Sequence, residues 1–499
     1  MGMWAAILFA LDKVFLWNNF FYISLGTVVG LIFGVLPGLS SVISLSLFLP
    51  LTYGMDPMSA MFLYSGLMGA NPFGGSISAI LLNTPGTAQN IATVFDGYPM
   101  TQRGEAARAL GISATASALG AVFGIFILIF LLPLVRRVVL AFGPPEFFMM
   151  VMFGMIAVVI AAKGNMVKGL FAGGLGVLFS LMGRSELTGT IRFNFGTVYL
   201  WDGLTLIPFM IGLLALAEMI SLATKRQVTI AVKDVAAGYT GIWRGIKDVF
   251  EHKLCFFRSA AIGTIVGVIP GIGGAVANML SYTVALQSSN HPETFGKGDP
   301  EGVIAPESAN NAKDGGSLLP TVGFGIPGSA EMAVLLGAFI LHGLTPGPLL
   351  IKDHLEIVWA LILGLAVSNI LASVFGLLSA RLLIKITRVN LSYIIPTVIG
   401  ICLMGAFAIR SNIWDVLLAV IFGFVGFGMK TFGFLVITMV MGYVLGSMAE
   451  VSLNQSLMMS NVGYKIFLYR SISLTLLICI IVVLLIPFIK KLAIGRKEG

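Results

Sequence analysis

The hexapeptide Gly34-Val35-Leu36-Pro37-Gly38-Leu39 returns as Gly267-Val268-Ile269-Pro270-Gly271-Ile272, each time inside an apolar stretch. Proline removes a backbone donor and crowds the preceding helical turn, and the glycine after it frees the backbone. Each copy therefore predicts a helix that stops and restarts. The repetition runs further: Gly30 matches Gly263, Gly74-Gly75-Ser76 matches Gly315-Gly316-Ser317, and Thr84-Pro85-Gly86-Thr87-Ala88 matches Ile326-Pro327-Gly328-Ser329-Ala330. Later echoes are Lys163-Gly164-Asn165 with Arg410-Ser411-Asn412 and Ala217-Glu218 with Ala449-Glu450. The separation, roughly 230 to 250 residues, is far longer than a solenoid repeat and fits a duplicated membrane domain.

Composition excludes a soluble globular fold. Hydrophobic residues make up 57% of the 499 and charged residues 10%, against about 25% charged in soluble domains. The apolar runs reach about 20 residues, the length that crosses a bilayer core of about 30 Å as a helix. The 60 glycines suit close helix packing in lipid. Cys255, Cys402 and Cys479 lack metal spacing and read as small hydrophobes. His252, His291, His342 and His354 form no HExxH and read as non-ligands, with His342 singled out because it precedes Gly343-Leu344-Thr345-Pro346-Gly347-Pro348. The net charge of +8 comes from basic residues at the ends of apolar segments, which signals topology rather than nucleic-acid binding. The Met1–Trp17 stretch contains Asp12 and Lys13, lacks a small-x-small cleavage site, and is expected to be a retained first helix.

Apolar segments are expected over about 17–36, 40–54, 58–70, 76–95, 109–133, 146–162, 166–183 and 203–223. The second half predicts 259–287, a polar insert over 288–306, then 315–345, 355–380, 391–409, 413–429 and 431–449. This divides the chain into a first repeat (1–223), a basic cytoplasmic linker (224–258), a second repeat (259–470) and a closing helix with a basic cytoplasmic tail (471–499). The tail places the start of the closing helix outside, so the Glu450 segment ends outside, while the Glu218 segment runs into the linker and ends inside. Equivalent segments with opposite exits mean inverted repeats. The expected fold is an all-α polytopic membrane protein with two inverted repeats and discontinuous helices or re-entrant hairpins.

Unpaired backbone groups in hydrocarbon cost several kcal/mol each, so breaks at membrane depth persist only when buried in protein or lining a cavity. For any single break, a proline kink with serines bonded back to helix carbonyls is the competing explanation. Four breaks paired by repeat point instead to a site. Neutral donors beside them, Ser40, Ser41, Ser76, Asn83, Thr84 and Thr87 in one half and Asn278, Asn310, Asn311, Ser317, Thr321 and Ser329 in the other, are candidates for holding a carboxylate with help from half-helix N-termini. Exposed carbonyls at the breaks, around Gly34, Pro37, Gly38, Gly267, Pro270 and Gly271, are candidate ligands for Na⁺, with Asn278 beside them. Glu307 and Glu331 are candidate proton carriers, Lys313 and Asp314 read equally as a structural pair or as a substrate contact, and Glu218 and Glu450 sit at segment ends, where placement at the membrane interface is weighed against a buried proton site. Neither an enzyme's nucleophile–base or metal motif nor a cofactor signature is present in the sequence; a channel is the alternative to a carrier.

With Gly34 to Gly38, Gly74 to Ala88, Asp96-Gly97-Tyr98-Pro99, Gly143-Pro144-Pro145-Glu146-Phe147, Ala305-Pro306-Glu307-Ser308-Ala309-Asn310-Asn311-Ala312 and Gly325 to Gly328 in view, the chain resembles the TctA-type large membrane subunit of the bacterial tripartite tricarboxylate transporters. The resemblance implies a Na⁺- or H⁺-coupled importer of citrate-like carboxylates in the inner membrane, without a cofactor. It also implies two partners, a small TctB-like membrane subunit and a TctC-like periplasmic solute-binding protein. The family's motif loops, carried onto Pro37, Gly38, Ser76, Pro85, Gly86, Asn310, Asn311, Gly316, Pro327 and Gly328, would frame the substrate and ion sites. Lys313-Asp314 departs from the smaller residues usual there. An elevator-like movement is expected by analogy with other inverted-repeat carboxylate carriers.

Overall fold

A computed structural model describes residues 2–161, 166–185, 187–224, 241–387, 389 and 391–495. Lys163-Gly164-Asn165, the 225–240 part of the linker and the terminal Arg496 and Lys497 lie outside them. The first half contains α1 (Met3–Val14), α2 (Trp17–Val35), α3 (Ser41–Leu51), α4 (Pro57–Leu82), α5 (Ile91–Gln102), α6 (Ala106–Leu140), α7 (Pro144–Ala161) and α8 (Met166–Ser180). A short hairpin of β1 (Gly183–Arg184) and β2 (Ile191–Arg192) follows, then α9 (Leu206–Met210) and α10 (Ala217–Thr224), joined by the π-helical turn Ile211–Leu216. The second half contains α11 (Ile242–Glu251), α12 (Lys253–Val268), α13 (Gly273–Ser288), α14 (Pro300–Phe324), α15 (Ala330–Leu341), α16 (Pro348–Asp353) and α17 (Leu355–Ile386). It closes with α18 (Leu391–Arg410), α19 (Ile413–Thr431), α20 (Val436–Met458), α21 (Ile466–Tyr469) and α22 (Ser471–Gly495). Among the described residues seven helices are long and apolar enough to cross a membrane. The chain is an all-α, multi-pass membrane protein.

Two expected boundaries move. The gap expected between the 58–70 and 76–95 segments is absent, because α4 continues through Pro72 to Leu82, and the interruption expected at Thr84 to Ala88 divides the second of them, with α5 resuming at Ile91. The expected polar insert also ends early, because α14 starts at Pro300 and carries Glu307, Asn310 and Asn311 inside a helix. Both long helices begin alike: Asp56 accepts from Ser59 N–H and Asp299 from Glu301 N–H, each with proline at the first helical position. They also end alike, in a left-handed residue, Asn83 at φ 54° and Gly325 at φ 71°.

Hydrocarbon gives little hydrophobic drive for helices to associate, so small residues that let backbones touch decide the packing. Gly26, Gly30 and Gly34 of α2 meet Gly66, Ala70 and Gly74 of α4 in the same order, so the two run parallel. Gly263 and Gly267 of α12 meet Ala309 and Lys313 of α14 in the same way. Each pair takes its long neighbour from the other half: Gly364 and Gly376 of α17 rest on Ser65 and Phe73 of α4, and Gly120 and Gly124 of α6 rest on Ser308 and Ala312 of α14. Between α4 and α14 the order reverses. Ser76 meets Glu307, while Gly69 and Asn311 both meet Asn369, so these matching helices run antiparallel.

The remaining helices pair with the same exchange, α8 on α20 and α19 on the 206–224 segment. Glu218 pairs with Lys430 of α19, and its counterpart Glu450, inside α20, with Arg192 of β2 at 2.7 Å, so both acids tie neighbouring elements together. Asp96 of the Asp-Gly-Tyr-Pro motif is fully buried; it accepts from the Gly298 and Asp299 amides and from Tyr282 Oη, each at 2.8 Å, and pins the loop before α14.

A methyl group on Gly34 would lie 2.2 Å from the Asn71 carbonyl oxygen, whereas one on Gly174 meets nothing within 4 Å. Gly34→Ala is expected to cost about 1–3 kcal/mol, and Gly174→Ala to stay within about 0.5 kcal/mol of the parent. Thermal unfolding of both variants in detergent measures the difference.

Candidate functional site

Four helix interruptions follow the repeated Pro-Gly pairs, and in each half the second is pressed against the first. Gly271, at φ 80°, donates its N–H to the Gly328 carbonyl at 3.1 Å. A methyl on Gly328 would lie 2.6 Å from Ser317 Cβ and 2.9 Å from the Gly267 oxygen. In the first half Gly86 N–H donates to the Gly75 oxygen at 3.3 Å, and a methyl on Gly86 would come within 1.9 Å of the Gly34 oxygen. At Gly86, Gly271 and Gly328 backbone lies against backbone, which leaves no room for a side chain.

The second breaks of the two halves meet each other. Gln89 Nε2 donates to Glu331 Oε1 at 2.5 Å, across 242 residues of sequence. Pro85 and Pro327 are related by that same separation, so Gln89 and Glu331 are equivalent residues in direct contact. Such a contact is what an internal two-fold axis between the two halves would produce. Beside this contact the duplication is broken: Lys313 and Asp314 occupy the positions of Pro72 and Phe73. Lys313 Nζ lies 2.7 Å from Asp314 Oδ1 and 3.8 Å from Glu331 Oε2, with its side chain 2% exposed.

A cavity of about 200 Å³ opens on this contact. Its walls are Ala88 and Gln89 from the first half, Gly271 to Ala275 at the start of α13, and Pro327 and Ser329 to Glu331 at the start of α15. Val158 of α7 with Ile437 and Met441 of α20 close the opposite side. The start of α13 has no side-chain cap, and α15 is capped by Ser329, which accepts from Met332 N–H. Helix starts present unpaired N–H groups and a partial positive charge, the combination that holds an anion. The volume is below the about 300–1,000 Å³ of pockets for drug-sized ligands, so the cavity suits a small molecule. A larger, almost wholly apolar cavity of about 540 Å³ between α7, α8 and α20 shares Val158 and Met441 as a wall but none of the break residues.

Behind the cavity a buried carboxylate ties four helices together. Glu307 of α14 accepts from Ser76 of α4 at 2.7 and 2.9 Å, from Thr93 of α5 at 2.5 Å, and from Ser113 and Ser117 of α6 at 2.7 and 2.8 Å. All five side chains are buried. The network reaches the second break, because Asn90 Nδ2 donates to Ser76 Oγ at 2.7 Å and Thr87 Oγ1 donates to Asn90 Oδ1 at 2.6 Å.

The expected residues therefore divide. Gly271, Pro327 and Ser329 line the cavity, and Asn278 reaches its edge by donating to the Gln89 carbonyl at 2.7 Å. Ser76 and Thr87 belong to the Glu307 network, and Gly34, Gly86, Gly267, Gly316 and Gly328 are close-packing points. Ser317 packs on Gly328, Thr84 bonds back to Leu82, Pro85 is half-buried beside it, and Asn83 is exposed. Pro37, Gly38 and Ser40 do not line the cavity, and Gly38 faces Leu222 of α10. Pro270 is buried next to Gly271. Asn311 donates to Asn369, while both amide atoms of the fully buried Asn310 lack a partner among the described residues. His342 Nε2 lies 3.3 Å from Thr52 Oγ1, away from the cavity lining. Sequence reasoning missed Gln89, Asn90, Thr93, Ser113 and Ser117. The signal for Gln89 was its place in the repeat opposite Glu331; for Ser113 and Ser117 it was their four-residue spacing, which puts both hydroxyls on one helix face.

Two stability predictions follow from these charges. Lys313→Met leaves Asp314 and Glu331 as uncompensated buried acids and is expected to cost about 3–5 kcal/mol, with much of it recovered in Lys313→Met/Asp314→Asn. Glu307→Leu strands four hydroxyls at about 1–3 kcal/mol each before relaxation, so it is expected to lower the melting temperature well below that of Glu307→Gln, which keeps polar partners. Detergent-solubilised unfolding curves of the four variants check both.

The family model described as "Tripartite tricarboxylate transporter TctA family" matches residues 20–441. An uncharacterized 52.8 kDa protein in the TAR-I ttuC' 3'region of Agrobacterium vitis is 31% identical over 477 residues, covering 95% of this chain and 94% of that protein. An uncharacterized protein in the TAR-II ttuC' 3'region of the same organism is 33% identical over 227 residues, 45% of this chain and 94% of its own length. No solved structure matches the chain. A duplicated membrane fold with paired helix breaks, matched along most of its length by one family model, makes this chain a member of the tripartite tricarboxylate transporter TctA family.

Proposed function

We propose that the chain is the large membrane subunit of a secondary transporter that imports organic acids, di- or tricarboxylates such as citrate, across the bacterial inner membrane. The driving ion is Na⁺ or H⁺. Substrate arrives from a TctC-like periplasmic binding protein, and a small TctB-like membrane subunit completes the assembly. The observation that carries this reading is the cavity at the Gln89–Glu331 contact, where the starts of α13 and α15 meet Gln89 of the first half around a space for a small molecule. Such convergence favours a carboxylate without a full buried positive charge facing it.

In this reading 1–223 and 259–470 act as inverted repeats joined by the 224–258 linker, with 471–499 as closing helix and tail. The antiparallel course of α4 and α14 supports the inversion. The cavity has one wall of break residues and one of α7 and α20, which supports a core that moves against a scaffold in an elevator-like cycle. Ser329 and the amides at the start of α13 are the closest candidates for substrate contact; Asn310, with its unpaired amide, is the next. Backbone carbonyls at the breaks remain the candidates for Na⁺, and no cofactor or catalytic residue enters the cycle.

Counterflow in proteoliposomes tests this. Vesicles preloaded with succinate, malate, tartrate or citrate are expected to accelerate uptake of the matching labelled acid for at least one of the four. Ala275→Phe, which fills the cavity, is expected to raise KM at least about tenfold. Uptake indifferent to preloading for all four acids contradicts a carboxylate carrier.

A further inference from the structure

We propose that Glu331 is the proton carrier of this transporter, so that the coupling ion is H⁺ and each proton enters and leaves at the Gln89–Glu331 contact. The proposal rests on the carboxylate-carrier reading above. It begins with an asymmetry. Two equivalent positions meet on the internal axis and line the same cavity, yet one holds a neutral amide and the other an acid. Only one of the two can therefore take up a proton.

The charges around Glu331 are few. From α14 it faces Lys313 and Asp314; from the first half it faces Gln89; α7, α13 and α20 contribute Val158, Gly274, Ala275, Ile437 and Met441, none of them charged. Lys313 sits closest to Asp314, at 2.7 Å, and stands 3.8 Å from Glu331. One cation stands against two acids, so with both ionised one negative charge is left over, and Glu331 is the one of the two that forms the cavity wall. A substrate carboxylate entering a 200 Å³ cavity meets that charge at close range. In a low-dielectric site the repulsion opposes the pull of the helix starts.

A proton on Glu331 removes the repulsion. The neutral carboxyl keeps one oxygen as acceptor for Gln89 Nε2 and gains an O–H that can donate to the substrate. The proton is taken from the water on the side of entry, bonds to a Glu331 oxygen, and is released to the water on the other side with the carboxylate. No bond of the substrate changes. Loss of the proton restores the repulsion and expels the anion. Na⁺ fits this contact poorly, because Glu331 Oε1 already receives Gln89 Nε2, Oε2 faces an ammonium, and the neighbouring Gly328 carbonyl receives Gly271 N–H. A metal ion needs several free oxygens and distance from Lys313, whereas a proton needs a single lone pair.

Substrate binding should accordingly tighten as pH falls through the titration of Glu331. The test uses the full-length chain reconstituted with its partner subunits, the membrane potential clamped to zero, and the acid that gave counterflow in the panel of four. With one proton per substrate, a one-unit inward pH gradient supports up to about tenfold accumulation in the parent. Glu331→Gln, which imitates the protonated form but no longer titrates, is expected to lose pH-driven accumulation and the pH dependence of substrate binding, the accumulation being compared with its own counterflow. Glu331→Asp, which retains a carboxyl, is expected to keep both. Accumulation in Glu331→Gln under a pH gradient overturns the proposal, as does substrate binding by Glu331→Gln that keeps the parent's pH dependence. Accumulation in the parent driven by Na⁺ and indifferent to pH overturns it too, while leaving the carboxylate carrier intact. Absence of counterflow in the parent with all four acids defeats the carrier reading itself, and the proposal with it.

Discussion

A broken helix inside a bilayer releases amides and carbonyls that hydrocarbon cannot satisfy, at several kcal/mol for each group. The rest of this structure is arranged around that cost. In each half the second interruption lies against the helix that leads into the first, Gly86 on Gly34 and Gly328 on Gly267, so the released groups meet protein backbone instead of lipid. Contacts this close require glycine at every touching point. The glycine ladders of α2 and α12 follow from the same need, since they bring the two broken helices of each half into register.

Fusion of the halves comes next. Each long helix, α6 and α17, leaves its own repeat to pack on the other, and Glu307 gathers hydroxyls from α4, α5 and α6 onto α14. A buried acid held by several hydroxyls is stable only while all of them stay in place, so the network favours movement of these helices as one body. Two ion pairs, Glu218 with Lys430 and Glu450 with Arg192, lie outside this network. The cavity lies between the break residues and a wall of α7 and α20, and Glu331, the only acid in its lining among the described residues, is opposed by the amide of Gln89.

Much of this was legible in the sequence, and the limits are physical. Pro37, Pro85, Pro270 and Pro327 read correctly as interruptions because a proline beside a glycine acts on its own backbone, wherever the chain goes. Pro72, Pro306 and Pro320 did not interrupt anything; they sit within α4 and α14, where neighbouring helices absorb the missing hydrogen bond. Lys313 and Asp314 read equally as a structural pair or as a substrate contact, and in the structure they pair with each other. Ser76 read as a substrate donor, yet its hydroxyl belongs to Glu307 231 residues away, a partner that only the exchange of helices between halves brings near. Gln89 carried no local signal; its meaning came from where the repeat placed it.

The central claim is that the cavity on the internal axis is the substrate site, opened in turn to each side of the membrane. A single cysteine at Ala275, in a chain whose Cys255, Cys402 and Cys479 are replaced by alanine, reports on it directly. The measurement is its rate of reaction with a membrane-impermeant thiol reagent in right-side-out and inside-out vesicles, with and without carboxylate. The account predicts labelling from both faces and slower labelling from both when the transported acid is present. Labelling from one face alone, at a rate that the acid does not change, would contradict it.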